Sequence, residues 1–271
     1  MGIPAEHKQW VSEEAQIHYF VSGRPEGELV LCLHPAFGDH RCFDGQLEAF
    51  ASRYRVITVD LIGHGLSQVY GAGQGIDRAL QHLLGILHAE GYDKCHLVGV
   101  SMGSLVAQAF ASRYPDKVMS LVSVGAYSIR EEHPEIVRAQ RSEMLRWLLM
   151  AVLSMNRFRR YLASVTVIRP EQQERFYDMT AGFTRRSIRV LSGLRTLAQA
   201  QTGPAAASPP LLLVCGDRDL PVVKEATLRW QLAEPRSTCL ELENAGHCAN
   251  MDQPQVFNEV VLAFLNSVPS G

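Results

Sequence analysis

Residues 97–105 read "LVGVSMGSL": an apolar run ends on Gly99-Val100-Ser101-Met102-Gly103, and a helical pattern, "GSLVAQAFASRY", follows at once. A serine with a glycine two positions away on either side suits a nucleophile elbow, the sharp strand-to-helix turn that presents a reactive hydroxyl. It equally suits an ordinary glycine turn. Such a turn strains the serine backbone, so its neighbours must be small. The helix that starts there would aim its first amides, with their partial positive charge, at an oxygen gaining negative charge. Three fixed positions in five recur by chance, so the rest of the chain must decide.

Outward from this turn, short apolar runs alternate with longer helical patterns. Strands are expected at 17–23, 29–34, 55–60, 95–101, 119–125, 211–217 and 238–243. Several are apolar at nearly every position, as parallel strands buried on both faces are. Helices are expected at about 42–52, 77–90, 103–114, 223–233 and 254–267. Alternating βα units imply an α/β fold: a mostly parallel, doubly wound sheet of about eight strands with helices on both faces.

Residues 130–200 break the rhythm, with only helical text such as "EQQERFYDMTAGFTRRSIRVLSGLRTLAQA". A Pro/Ala-rich linker, "QTGPAAASPP", then leads back into a strand. The expected organisation is a core of residues 1–129 and 201–271 carrying an inserted all-helical cap, 130–200. A cap belongs over the strand ends, where ligands bind in open α/β sheets. The insertion holds thirteen arginines, no lysine and seven carboxylates, a balance of +6, whereas the remainder carries −8. That is either a solvated helix face or an attractant for an anionic substrate, phosphate group or carrier. Phe37, Trp147, Met150 and Leu153 are the expected lining of an acyl pocket, although simple helix packing explains the apolar cap residues equally well.

Composition excludes other classes. At 271 residues, 46% hydrophobic and 20% charged, the chain suits one large soluble domain. Its net charge of −2 does not point to nucleic acid. Apolar runs are too short for a membrane span, and the first residues lack the apolar stretch of a secretory signal. The six cysteines show no C-x-x-C spacing. The expectation is a reduced, cytoplasmic protein with no metal and no cofactor, acting on a small molecule. Composition says nothing of oligomeric state.

A serine needs a base, itself oriented by an acid, before it becomes a nucleophile. Downstream, "LLLVCGDRDLP" places Asp217 and Asp219 just past a strand, and "ENAGHCAN" places His247 in a later loop. Together with "LHPAFGD" (33–39), "DLIGHGLS" (60–67) and "GVSMGS" (99–104), these motifs resemble the α/β-hydrolase superfamily in its capped, single-domain, esterase-like branch. The resemblance covers nearly the whole chain outside the cap.

By that resemblance Ser101 is the nucleophile, His247 the general base and Asp219 the acid. Asp219 is preferred to Asp217 because the family's acid falls three residues after the glycine of its turn, here Gly216. The oxyanion-hole amides map to Met102 and Ala36. Where most relatives read H-G-x, this chain has His34-Pro35-Ala36; proline lacks an N–H, but the family's donor is the next residue. His34 reads as a hydrogen-bonding brace, and Asp60, His64 and Ser67 as loop-shaping residues.

The implied function is a serine hydrolase that cleaves a carboxylic ester, thioester or lactone, with an anionic or apolar acyl group. Haloalkane dehalogenases and most epoxide hydrolases of this fold have Asp where Ser101 stands. C–C bond hydrolysis and acyl transfer use the same triad and stay open. A different class, a non-catalytic ligand-sensing protein on the same fold, stays open as well, although the retained Ser, Asp and His argue against it.

Overall fold

Strands form where β-branched and apolar residues run together, and the runs 29–33, 95–100 and 211–216 are buried at every position, so both faces are covered at the centre of the sheet. The computed structural model describes residues 5–70, 75–131, 133–135, 138, 146, 147, 150, 153–183, 185–199 and 208–269. Its strands are β1 (Glu6–Val11), β2 (Ala15–Gly23), β3 (Leu29–Leu33), β4 (Arg55–Val59), β5 (Gln68–Val69), β6 (Cys95–Val100), β7 (Val118–Val124), β8 (Leu211–Gly216) and β9 (Thr238–Leu242). They form one sheet in the order β1-β2-β4-β3-β6-β7-β8-β9, with β5 paired to β2. Every pairing from β4 across to β9 is parallel, and β1, β2 and β5 are antiparallel.

Alternation along β3 divides the core. Leu29, Leu31 and Leu33 face one layer with Leu97, Phe110 and Trp230; Val30 and Cys32 face the other with Phe50, Val98 and Phe257. The helices serving these layers are α1 (Asp44–Ala51), α2 (Ala79–Ala89), α3 (Met102–Arg113), α8 (Pro221–Ala233) and α10 (Pro254–Ser267), with the short α9 (Ala249–Asp252) before the last. Between β7 and β8 the described residues carry α4 (Met155–Thr166), α5 (Pro170–Met179), α6 (Arg185–Val190) and α7 (Leu194–Gln199), and no strand. Residues 201–207 of the expected linker lie outside the described residues.

The sheet has nine strands where about eight were expected. The expected runs all form strands, and β1 and the two-residue β5 join them. β1 reads EHKQWV, an exposed edge whose charged residues hide its pairing with β2. The arginine-rich segment 130–200 also reaches the core. Val190 and Leu197 pack into the core layer that holds Phe110, so the last helices of the segment lie against the sheet's own helices.

The strand order positions the site. From β3 the chain runs to β4 on one side, and β6 then pairs on the other side of β3. The carboxyl ends of β3 and β6 therefore flank a topological switch point, the crevice where open α/β sheets bind ligands. Ala36 follows the first strand and Ser101 the second.

Candidate active site

Ser101 sits between β6 and α3 with φ 51° and ψ −115°. A non-glycine backbone held there costs about 1–3 kcal/mol and persists only where its surroundings enforce it. Its N–H donates to the carbonyl of Val124 on β7 (2.8 Å), which pins the turn to the next strand. The flanking glycines are required by close approach. A Cβ on Gly103 would lie 2.0 Å from the Leu33 carbonyl oxygen, and one on Gly99 would lie 2.6 Å from that of Gly103. Ser104, the next residue, is fully buried and shares a 2.5 Å hydrogen bond with Ser123 on β7.

The Ser101 hydroxyl meets His247 Nε2 at 2.8 Å, and His247 Nδ1 meets Asp219 Oδ1 at 2.8 Å. With the ring proton on Nδ1, His247 donates to Asp219 and accepts from Ser101. Asp219 is nearly buried, and its Oδ1 also accepts from the Leu220 N–H at 2.7 Å. Burial pulls the His247 pKa down; the charge and hydrogen bond of Asp219 outweigh it, leaving the imidazole above its ordinary value. Asp217 points elsewhere: its carboxylate accepts from the Ala245 N–H at 3.0 Å, bracing the loop that carries His247. Met102 is the first residue of α3, so its amide has no partner within that helix.

On the opposite lip, His34 is buried and clamps the loop after β3. Its Nε2 accepts from the Leu61 N–H at 3.0 Å, and its Nδ1 lies 2.7 Å from the Pro35 carbonyl, to which it donates. Asp60 accepts from the N–H and ring Nδ1 of His40 and from the Leu66 N–H; the Ser67 hydroxyl donates to the Asp60 carbonyl. Asp39, His40 and Asp60 bring possible metal-ligand atoms within 4.8 Å of one another. The same atoms hold this hydrogen-bond network and the Asp39–Arg41 ion pair, which explains the cluster without an ion. His64 is buried, which lowers its pKa to about 3 and keeps it neutral.

Phe37 follows Ala36 with φ 69°, a conformation rare for an aromatic residue. Its ring makes edge contacts with Trp147, Phe158 and Phe183, at centroid distances of 5.5, 5.9 and 4.6 Å. Met150 packs in the same layer, whereas Leu153 is 74% exposed. The structure therefore brings Phe37, Trp147 and Met150 together and leaves Leu153 out: it lies just before α4 with its side chain in solvent. The Trp147 indole N–H is buried with no acceptor among the described residues.

Sequence reasoning overlooked Gly125, at the end of β7. With φ 56°, a Cβ there would lie 2.6 Å from the His247 carbonyl and 3.2 Å from Asp219 Oδ2. The signal was a glycine closing an apolar strand, "MSLVSVG".

The profile of the Alpha/beta hydrolase family matches residues 30–260. The chain is 23% identical to the (E)-2-((N-methylformamido)methylene)succinate hydrolase of Acinetobacter baylyi, over 96% of this chain and 97% of that protein. It is 28% identical to the pimeloyl-[acyl-carrier protein] methyl ester esterase of Aeromonas hydrophila, over 89% and 96%. Among solved structures, epoxide hydrolase A of Mycobacterium thermoresistibile superposes with a TM-score of 0.80 at 18% identity, covering 99% of this chain and all of that one. The chain belongs to the alpha/beta hydrolase family and is an enzyme, a hydrolase built on that fold.

Proposed function

We propose that the protein is a serine hydrolase of carboxylic esters, thioesters or lactones that works through an acyl-enzyme. The observation that carries this reading is the hydrogen-bonded run Ser101–His247–Asp219 at the switch point of the sheet. His247 Nε2 takes the hydroxyl proton as Ser101 Oγ bonds to the substrate carbonyl carbon. The amides of Ala36 and Met102 hold the oxyanion, and Asp219 stabilises the imidazolium that forms. His247 then protonates the departing alcohol, thiol or lactone oxygen as the acyl bond breaks. Water, deprotonated by the same imidazole, then bonds to the acyl carbon; the bond from that carbon to Ser101 Oγ breaks, Oγ takes the proton back from His247, and the carboxylic acid departs. A serine in place of the aspartate typical of this fold's epoxide hydrolases supports acyl chemistry over epoxide opening.

Residues 130–200 act as a cap in this reading, and the acyl group lies against Phe37, Trp147 and Met150. That wall is aromatic and apolar. Of the described arginines of this segment, Arg160 pairs with Glu174 and Arg175 with Asp44, both at the exposed surface. In this reading the aromatic lining around Phe37 suits an apolar acyl group, and the buried Trp147 N–H supplies a donor for one substrate oxygen. All six cysteines are free thiols, which supports a reducing compartment such as the cytoplasm; no helix among the described residues is long and apolar enough to cross a membrane.

The test is a panel of nitrophenyl esters, thioesters and lactones with neutral or carboxylate-bearing acyl chains, assayed at low and high salt alongside Ser101→Ala. Neutral apolar acyl groups should give the highest kcat/KM, with little response to salt and complete dependence on Ser101. A preference for carboxylate-bearing acyl groups that collapses in high salt would overturn the apolar assignment.

A further inference from the structure

The loop that carries His247 is fastened on two sides. Toward β8 it is held by Asp217, through the Ala245 N–H, and by the Arg218 N–H on the Ala245 carbonyl (3.0 Å). On its other side it meets the junction between α4 and α5. There the Cys248 N–H donates to the Thr166 carbonyl at 2.9 Å.

A buried carboxylate completes that second fastening. Asp252, at the end of α9, is fully buried, and its oxygens are taken up by backbone donors. Oδ1 accepts from the N–H groups of Ile168 (3.1 Å) and Arg169 (3.2 Å). Oδ2 accepts from those of Ile168 (3.1 Å) and Gly246 (2.9 Å). One oxygen thus serves the α4–α5 junction alone, and the other is shared between that junction and the residue immediately before His247. Only a carboxylate fits, because three N–H donors converge on two oxygens. An amide at this position would turn an NH2 group toward one of the donors.

The α4–α5 hairpin also reaches the opposite lip of the site. Phe158 of α4 touches Phe37, the residue after Ala36, and Phe176 of α5 packs in the same layer. The hairpin therefore contacts the oxyanion loop through an aromatic ring and the histidine loop through Asp252 and Cys248.

We infer that Asp252 is a positioning residue that ties the His247 loop to the α4–α5 hairpin, so that the seating of the hairpin sets the alignment of His247 with Ser101. The inference rests on the Ser101–His247–Asp219 reading and extends it to a residue that touches neither substrate nor reacting atoms. Its consequence is that a cap displaced from the core loses catalysis as well as pocket walls.

The test compares wild type, Asp252→Asn and Asp252→Glu with Leu87→Ala, a core truncation on α2 that lowers stability away from the site. Hydrolysis of a nitrophenyl ester is followed across pH, with hydrogen exchange of the segments 166–170 and 244–248. Asp252→Asn should lower kcat by about tenfold or more with KM within about threefold, since a misplacement near 1 Å suffices for that. Its acid limb should move to lower pH as His247 drifts from Asp219, and both segments should exchange faster together. Asp252→Glu, which keeps both oxygens, should recover part of kcat; if the Asn variant does not fold, the Glu variant carries the comparison with an intermediate loss. Leu87→Ala should lower Tm and leave kcat and the acid limb in place. The inference is overturned if an Asp252 variant loses Tm as Leu87→Ala does while kcat and the limb stay unmoved, or if only one segment gains exchange. Full activity of Ser101→Ala in the same assay would instead remove the triad reading, and the inference with it.

Discussion

At the scale of single residues, the division of labour between two neighbouring aspartates is the sharpest feature. Asp219 bonds the His247 ring, and Asp217 bonds the backbone of the His247 loop. Asp219→Asn should cut kcat by on the order of 10³–10⁴-fold, because an amide stabilises the wrong imidazole tautomer. Asp217→Asn should cost less than about tenfold, because it leaves the ring contacts intact. Steady-state kinetics of the pair decides this, and the reverse ranking would exchange their roles. The pH dependence follows from the same contacts. Asp219 raises His247 above its ordinary value of about 6.5, and in the proposed mechanism the ring must be neutral to accept the serine proton. Activity should therefore fall as pH drops through a midpoint above 6.5; a kcat/KM limb centred below 6.5 would contradict the pairing. The stability linked to this histidine runs the other way, present in full below the unfolded value and lost as pH rises through the folded one.

At the scale of elements, the elbow works because α3 lies close to β3. The absent Cβ of Gly103 lets helix and strand approach to a distance that any side chain would forbid. Gly103→Ala should cost about 3 kcal/mol or more, since the clash is with backbone that cannot rotate away. Urea unfolding measures this, and a loss below about 0.5 kcal/mol would mean that the strand and helix can separate freely. This part of the architecture was legible in the sequence because its causes are local: apolar runs, and glycines at fixed spacing around Ser101. What was not legible arises from contacts distant along the chain. Asp252 appears in "NMDQP" as an ordinary acidic residue near a helix start, and its partner Ile168 is 84 positions away. β1 was hidden for a related reason, since its charged edge pattern makes sense only once β2 lies beside it.

At the scale of the whole molecule, the sheet order brings the ends of β3 and β6 together, and the helices between β7 and β8 meet both lips of the resulting crevice. The alternation of strands and helices made the α/β class readable in advance. The chemistry of the segment was harder to read, because a charge count along the chain does not say where each charge sits: Arg160 and Arg175 pair with Glu174 and Asp44 at the exposed surface. In the proposed mechanism Ser101 is the group that becomes acylated. Reaction with a fluorophosphonate probe, followed by intact mass and peptide mapping, decides this. A single adduct on Ser101 is expected in the wild type and none in Ser101→Ala, with slowed labelling in Asp219→Asn. An adduct on another residue, or ester hydrolysis undiminished in Ser101→Ala, would contradict it.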